Sequence, residues 1–316
     1  MNNMFFSPPI LFFCVGLAST FLGVNLTVPS QIARFLSFYL LLSIGFQGGA
    51  ELSHTSITLT TIIPLFAAFI ASIIIPIYNF FLLRTKFNVV NSAALAATYG
   101  SVSAVTFITS VSYLQELKIS FGGYMIASLA LMEAPAIIIS LYLARNFEKK
   151  AHLNENKYHW YEGFTETSVF LLLASLLVGF ISGESGSISL KPFTQDIFKG
   201  FLSIFMIDMG VLAGQRISEI KDQAQSIILF ALALPLINSV LGILTTMIFK
   251  LNPGDGFLLT VLCASASYIA VPAALRLALP DANPSYYLSM ALGITFPFNI
   301  IFGLPLYLKA ISYITG

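Results

Sequence analysis

The sequence predicts an all-α polytopic membrane protein of about ten transmembrane helices, built as two inverted five-helix repeats with broken, crossing fourth and ninth helices. Three observations lead there. The 316-residue chain is 57% hydrophobic and only 9% charged, with a mean hydropathy of +0.87, whereas a soluble domain carries about 25% charged residues. It divides into about ten apolar stretches, most of them close to the roughly 20 residues that a helix needs to cross a bilayer. Finally, the second half repeats the first some 162–165 residues later, the mark of a duplicated transporter with its site where the copies meet.

The stretches fall near Pro8–Val24, Arg34–Ala50, Ile57–Leu83, Asn88–Tyr113 and Ser120–Arg145 in the first copy. In the second they fall near Thr165–Ser182, Lys199–Gln215, Ala224–Phe249, Gly256–Leu279 and Pro284–Ser312. They are continuous rather than alternating, which excludes a closed barrel. The organisation expected is a repeat over 8–145, a linker over 146–164 and an inverted repeat over 165–312. The repeat shows as Pro135 over Pro297, as the run from Gly100 to Ala104 over Leu262 to Ala266, and as Gly45 and Gly49 over Gly210 and Gly214. In the last register Arg34 lies over Lys199.

Lys and Arg gather on alternate loops. Arg34, Arg84, Lys86, Arg145, Lys149, Lys150, Lys157, Arg216 and Lys221 fall on one side, with Arg276 ending span nine, and Lys118, Lys191 and Lys250 fall on the other. The positive-inside rule then places the central loop in the cytoplasm and both termini outside, across an inner (plasma) membrane. Met1–Phe6 lacks a basic leader region, so the first stretch reads as a retained span. Five spans per copy is an odd number, which turns the second copy upside down. A net charge of +1 offers no field for nucleic acid. Cys14 and Cys263, both inside apolar stretches, read as small buried hydrophobes.

Chemistry concentrates in two runs. Span four carries Thr98-Tyr99-Gly100-Ser101-Val102-Ser103-Ala104-Val105-Thr106, and span nine carries Cys263-Ala264-Ser265-Ala266-Ser267-Tyr268-Ile269-Ala270-Val271-Pro272. Pro272 predicts a break near Tyr268–Pro272; in span four the prediction rests on Gly100 and the repeat. Two interrupted helices would aim two N-termini at one point, each with free N–H groups and about half a positive charge. That cradle suits a small anion with no basic side chain at mid-span. The alternative is that Gly, Ala and Ser only permit close helix packing. Candidate substrate contacts are Ser103, Ala104, Val105, Thr106, Ser267, Tyr268 and Ile269.

Glu133, beside Ala134-Pro135 in span five, is an intramembrane acid that costs about 2.5–3.5 kcal/mol to insert. With Ser101, Ser103, Ser265, Ser267 and Thr295 it offers oxygen ligands for a hard cation such as sodium; otherwise it accepts backbone hydrogen bonds. Asp208 stands where the first copy has Ser43, and can serve a loop or a neighbouring subunit. An intramembrane hydrolase is disfavoured, since His54, His152 and His159 all lie in loops and there is no HExxH motif.

At these residues the chain resembles the sodium-dependent bicarbonate transporter family first known from cyanobacteria. The likeness is clearest in Leu42–Glu51, Gly100–Thr109, Glu116–Ser120, Met132–Pro135, Gly200–Ile220 and Ala264–Tyr287, above all in the string from Leu279 to Tyr286. The resemblance implies a scaffold of spans one, two, six and seven, which also makes a homo-trimer contact, and a moving core of the other six. It implies bicarbonate between the fourth and ninth spans, sodium as coupling ion with no other cofactor, and an elevator movement. A cytoplasmic PII-like regulatory partner is conceivable on the same ground. Where well-known members carry an acidic residue and a glycine-proline-proline run in the ninth span, this chain has Tyr268 and Val271-Pro272-Ala273. Fewer charges on sodium, another small anion, or different coupling would each follow from that change. The expected function is sodium symport of a small anion, bicarbonate first; the alternative is a non-transporting membrane anion sensor or scaffold.

Overall fold

Only helices and the turns between them occur among the residues that the computed structural model describes, which are 7–26, 28–54, 58–148, 167–220 and 225–316. The linker over 146–164, with Lys149, Lys150, Lys157, His152 and His159, lies outside them save for its first three residues, and Lys221 lies outside as well. Among the described residues seven helices are long and apolar enough to cross a membrane, and Pro8–Phe21 and Pro253–Ala264 are shorter apolar ones.

In chain order the first six helices are α1 (Pro8–Phe21), α2 (Ser30–Leu52), α3 (Leu59–Leu83), α4 (Val89–Gly100), α5 (Ala104–Leu117) and α6 (Tyr124–Phe147). There follow α7 (Thr167–Lys191), α8 (Phe198–Ile220), α9 (Gln225–Phe249), α10 (Pro253–Ala264), α11 (Ala270–Ala278) and α12 (Pro284–Thr315). Helix starts follow local chemistry. Proline occupies the first turn of α1, α10 and α12, where no N–H is needed. Asn88 and Asn252 cap α4 and α10 alike, each accepting from the amide three residues on at 2.9 Å.

Spans six and seven, expected over Thr165–Ser182 and Lys199–Gln215, are longer. The helical stretch runs on from Val169 to Ile217, through a bend where Gly183 takes φ +54°, ψ −145° and wide turns at Pro192–Asp196. Glycine alone adopts that conformation without strain. In α12, wide turns at Ser289–Thr295 and Asn299–Gly303 precede Phe296-Pro297 and Leu304-Pro305, prolines that cannot supply a helical N–H.

Glycines let two helix pairs touch backbone to backbone. A Cβ on Gly45 would lie 2.7 Å from the Leu172 carbonyl, and one on Gly49 would lie 1.9 Å from that of Leu176, so α2 packs directly along α7. In the same way Gly16 meets Ile207 and Gly210 meets Phe13, which joins α1 to α8. These are small-residue packing surfaces of the kind common between membrane helices. Elsewhere α3, α4 and α6 pack together, and α10 lies against α9 and the end of α12. The Val89–Leu117 stretch is 94% buried, against 39% for α9. The fourth span is therefore shielded by protein, the condition under which unwound backbone is tolerated at membrane depth.

Candidate functional site

The stretches expected as the fourth and ninth spans are interrupted, between α4 and α5 and between α10 and α11, and the interruptions touch. Between α4 and α5 the chain is extended through Ser101 (φ −87°, ψ −178°) and Ser103 (φ −103°, ψ 110°). Between α10 and α11 it is extended at Ser265 (φ −87°, ψ 171°) and resumes helix after Ile269. The break therefore starts earlier than the Tyr268–Pro272 position read from the proline. Pro272 sits instead in the first turn of α11, where its missing N–H costs nothing.

Cross-bonds hold the breaks together. The Ser103 amide donates to the Ser265 hydroxyl at 3.0 Å, and the Ser267 amide donates to the Thr98 carbonyl at 2.8 Å. Gly100 lets the end of α4 pack closely on α3, because a Cβ there would meet the Pro76 ring at 2.8 Å. The carbonyls freed at the helix ends find buried amides. Asn238 donates to Tyr99 O at 3.4 Å and accepts from the Tyr78 hydroxyl at 2.7 Å. Asn299 donates to Ala264 O at 2.9 Å and accepts from Tyr307, also at 2.9 Å. Each break thus has an asparagine–tyrosine pair that satisfies a terminal carbonyl away from water.

The second half-helices, α5 and α11, begin at one cavity of about 30 Å³, above the roughly 10–15 Å³ that a single water requires. Val102, Ser103, Ala104 and Val105 line it from one break, and Ser267, Tyr268, Ile269 and Ala270 from the other. Glu133 of α6 joins them, as do Ser37, Leu40 and Leu41 of α2 and Phe205 of α8. Ser103 caps α5, accepting from Thr106 N at 3.2 Å, and Ser267, two residues before the Ile269 cap of α11, accepts from Val271 N at 3.3 Å. Among the described residues, the amides of Ala104, Val105, Ile269 and Ala270 have no acceptor in the chain. They are the unsatisfied first-turn donors that favour negative charge.

Six of the seven candidate substrate residues line this cavity; Thr106 stands behind it, its hydroxyl donating to Ser103 Oγ at 3.0 Å. Tyr268 is 8% exposed, with its ring against Phe296 at 5.3 Å between centroids. Its hydroxyl is buried beside Ser103 without hydrogen-bond geometry to any group. The six candidate cation ligands divide. Ser103, Ser267 and Glu133 line the cavity, and the buried Ser101 hydroxyl has no partner. Ser265 is committed to Ser103 N and Leu262 O. Thr295 is outside the lining, bonded to the Tyr99 hydroxyl and the Ala231 carbonyl at 2.6 Å each.

Asp208, 7% exposed, faces a larger cleft of about 550 Å³ with Arg34, Thr167, Leu212 and Ile269. That cleft shares Ser37, Leu41, Phe205 and Ile269 with the cavity, so the two adjoin. Sequence reasoning missed Asn238 and Asn299. Their signal was present, as lone amides in otherwise apolar spans.

Apolar helices, shielded unwound backbone and a small cavity lined by free amides are features of a multi-pass membrane transport protein. The chain belongs to the Na+-dependent bicarbonate transporter superfamily, whose family model matches residues 8–312. No curated protein matches it.

Proposed function

We propose that the chain is a secondary transporter that imports a small anion, bicarbonate first, by sodium symport with an elevator movement. The observation that carries this is the convergence of the α5 and α11 N-termini on one cavity. Ser103, Ala104, Val105, Thr106, Ser267, Tyr268 and Ile269 hold the anion through backbone amides and short hydroxyls. Sodium is assigned to Glu133 with Ser101, Ser103 and Ser267; Ser265 and Thr295 brace the breaks instead.

The ten-span inverted repeat is supported by local equivalences 164 residues apart: Asn88 with Asn252, Ser101 with Ser265, and Ser103 with Ser267. At about 1.5 Å per residue, the 49-residue stretch Val169–Ile217 is long enough for two passes. In this reading α1, α2, α7 and α8 form the scaffold and trimer contact, and the remaining helices form the moving core. The cavity lies where Ser37, Leu40, Leu41 and Phe205 of that scaffold face the core. Both termini are outside and the central loop is cytoplasmic.

Coupling has a physical reason. A monovalent anion entering a negative interior is opposed by about 2.3 kcal/mol per 100 mV. One sodium cancels that charge, and a tenfold sodium gradient adds about 1.4 kcal/mol. Labelled-bicarbonate uptake into proteoliposomes tests the reading: uptake should exceed that of empty liposomes and rise with an inward sodium gradient. Equal counts in both preparations would reject it.

A further inference from the structure

An ion pair joins the two helix sets. Glu116, in the last turn of α5, accepts from Lys199 at the start of α8 at 3.2 Å. The hydroxyl of Ser7, just before α1, donates to the same carboxylate oxygen at 3.2 Å. A core acid is thus gripped by two scaffold groups at the outer end of the bundle. Beside it the core loop presses on the scaffold, since a Cβ on Gly123 would lie 2.4 Å from the Gly48 carbonyl. Asp255 fixes that loop by accepting from Gly122 N at 2.7 Å. Core and scaffold thus touch at the outer end, while the cleft of about 550 Å³ that adjoins the cavity includes Arg34 at the opposite end.

Both partners of this pair have counterparts 165 residues away in the sequence. Lys199 corresponds to Arg34, at the start of α2, and Glu116 corresponds to Asp281, just after α11. The base is on the scaffold and the acid on the core in each case. Arg34 and Asp281 are exposed, and among the described residues neither makes an ion pair. The Asp281 loop is anchored at that opposite end, where Asn283 N donates to Asn91 Oδ1 at 2.8 Å near the start of α4.

We propose that Glu116–Lys199 and Asp281–Arg34 are alternating latches: the first holds the core with the outer end closed, as here, and the second forms when the core moves to close the inner end. This rests on the elevator reading above. Exchanging the conformations of inverted repeats carries a contact at one end into its counterpart at the other. The observed pair has side chains 49% and 24% exposed. Such pairs are weak, as a contact that breaks in every cycle must be.

The test uses the full-length protein in vesicles, with a Leu212→Cys reporter in the inner cleft; Cys14, exposed rather than buried as its apolar stretch predicts, is removed as Cys14→Ser. A water-soluble maleimide is applied from the inner face. Glu116→Gln should slow labelling about two- to fivefold, the bias that a half-exposed pair supplies. The charge exchange Glu116→Lys with Lys199→Glu should restore the rate, and adding Asp281→Asn to Glu116→Gln should also reverse the slowing. Cysteine pairs give a second arm. Glu116→Cys with Lys199→Cys, once oxidised, should prevent a disulfide between Arg34→Cys and Asp281→Cys in the same molecule. Unchanged labelling in Glu116→Gln, or both disulfides together in one chain, would overturn the proposal. Neither readout needs flux, so the latch and the transported solute fail separately.

Discussion

The backbone amide of Ser103 donates to the hydroxyl of Ser265 at 3.0 Å, tying the break in the fourth span to the break in the ninth across 162 residues of sequence. Neither half-helix start is therefore positioned alone. Each depends on the partner break for the bond that replaces a lost helical one, and the cavity between them inherits its geometry from that exchange.

Ser265→Ala should strand the Ser103 amide in a dry interior, at a cost of about 1–3 kcal/mol. Ser112→Ala is the control, because its buried hydroxyl has no partner to lose. Thermal unfolding in detergent should show a clear drop for the first and little change for the second.

Asn299→Leu removes both the donor to Ala264 O and the acceptor for the Tyr307 hydroxyl. The two orphaned groups predict a loss of stability greater than for Ser265→Ala, read in the same unfolding series. A matching melting point would mean that water or another side chain takes over the α10 terminus.

Gly49→Ala places a methyl 1.9 Å from the Leu176 carbonyl. No flexible side chain can yield there, so α2 and α7 must separate, at a cost of about 1–3 kcal/mol or more. Gly200→Ala, which meets nothing within 4 Å, should be silent in the same assay.

Ser103→Leu or Ser267→Leu puts an isobutyl group where the anion is proposed to sit and fills the cavity of about 30 Å³. Uptake should vanish while the amount of protein recovered in the membrane stays near that of the parent. Glu133→Gln should instead raise the sodium concentration needed for half-maximal uptake; an unchanged requirement would remove Glu133 from the cation site.

The helical membrane class was legible because composition alone sets it. The two breaks were legible because Gly100, the serines and Pro272 all disfavour continuous helix. Their register was not. The alignment read from the sequence set Ser103 over Ser265, whereas the C-terminal ends of α4 and α10 pair Ser101 with Ser265. The two breaks also differ in length: three residues separate α4 from α5, and five separate α10 from α11. The Thr295 hydroxyl could not be placed either, because its partners Tyr99 and Ala231 lie far away in sequence. Asn238 and Asn299 escaped for the same reason, since a cap supplied from another helix leaves no spacing to read.

The most direct test is a dipolar-coupling measurement by solid-state NMR on reconstituted protein, with carbon-labelled bicarbonate and nitrogen-labelled alanine amides. The account predicts that the bicarbonate carbon is dephased by alanine amides, and that separate Ala104→Pro and Ala270→Pro variants, each deleting one first-turn N–H, both weaken the effect. Bound bicarbonate that feels no amide from α5 or α11 would contradict it.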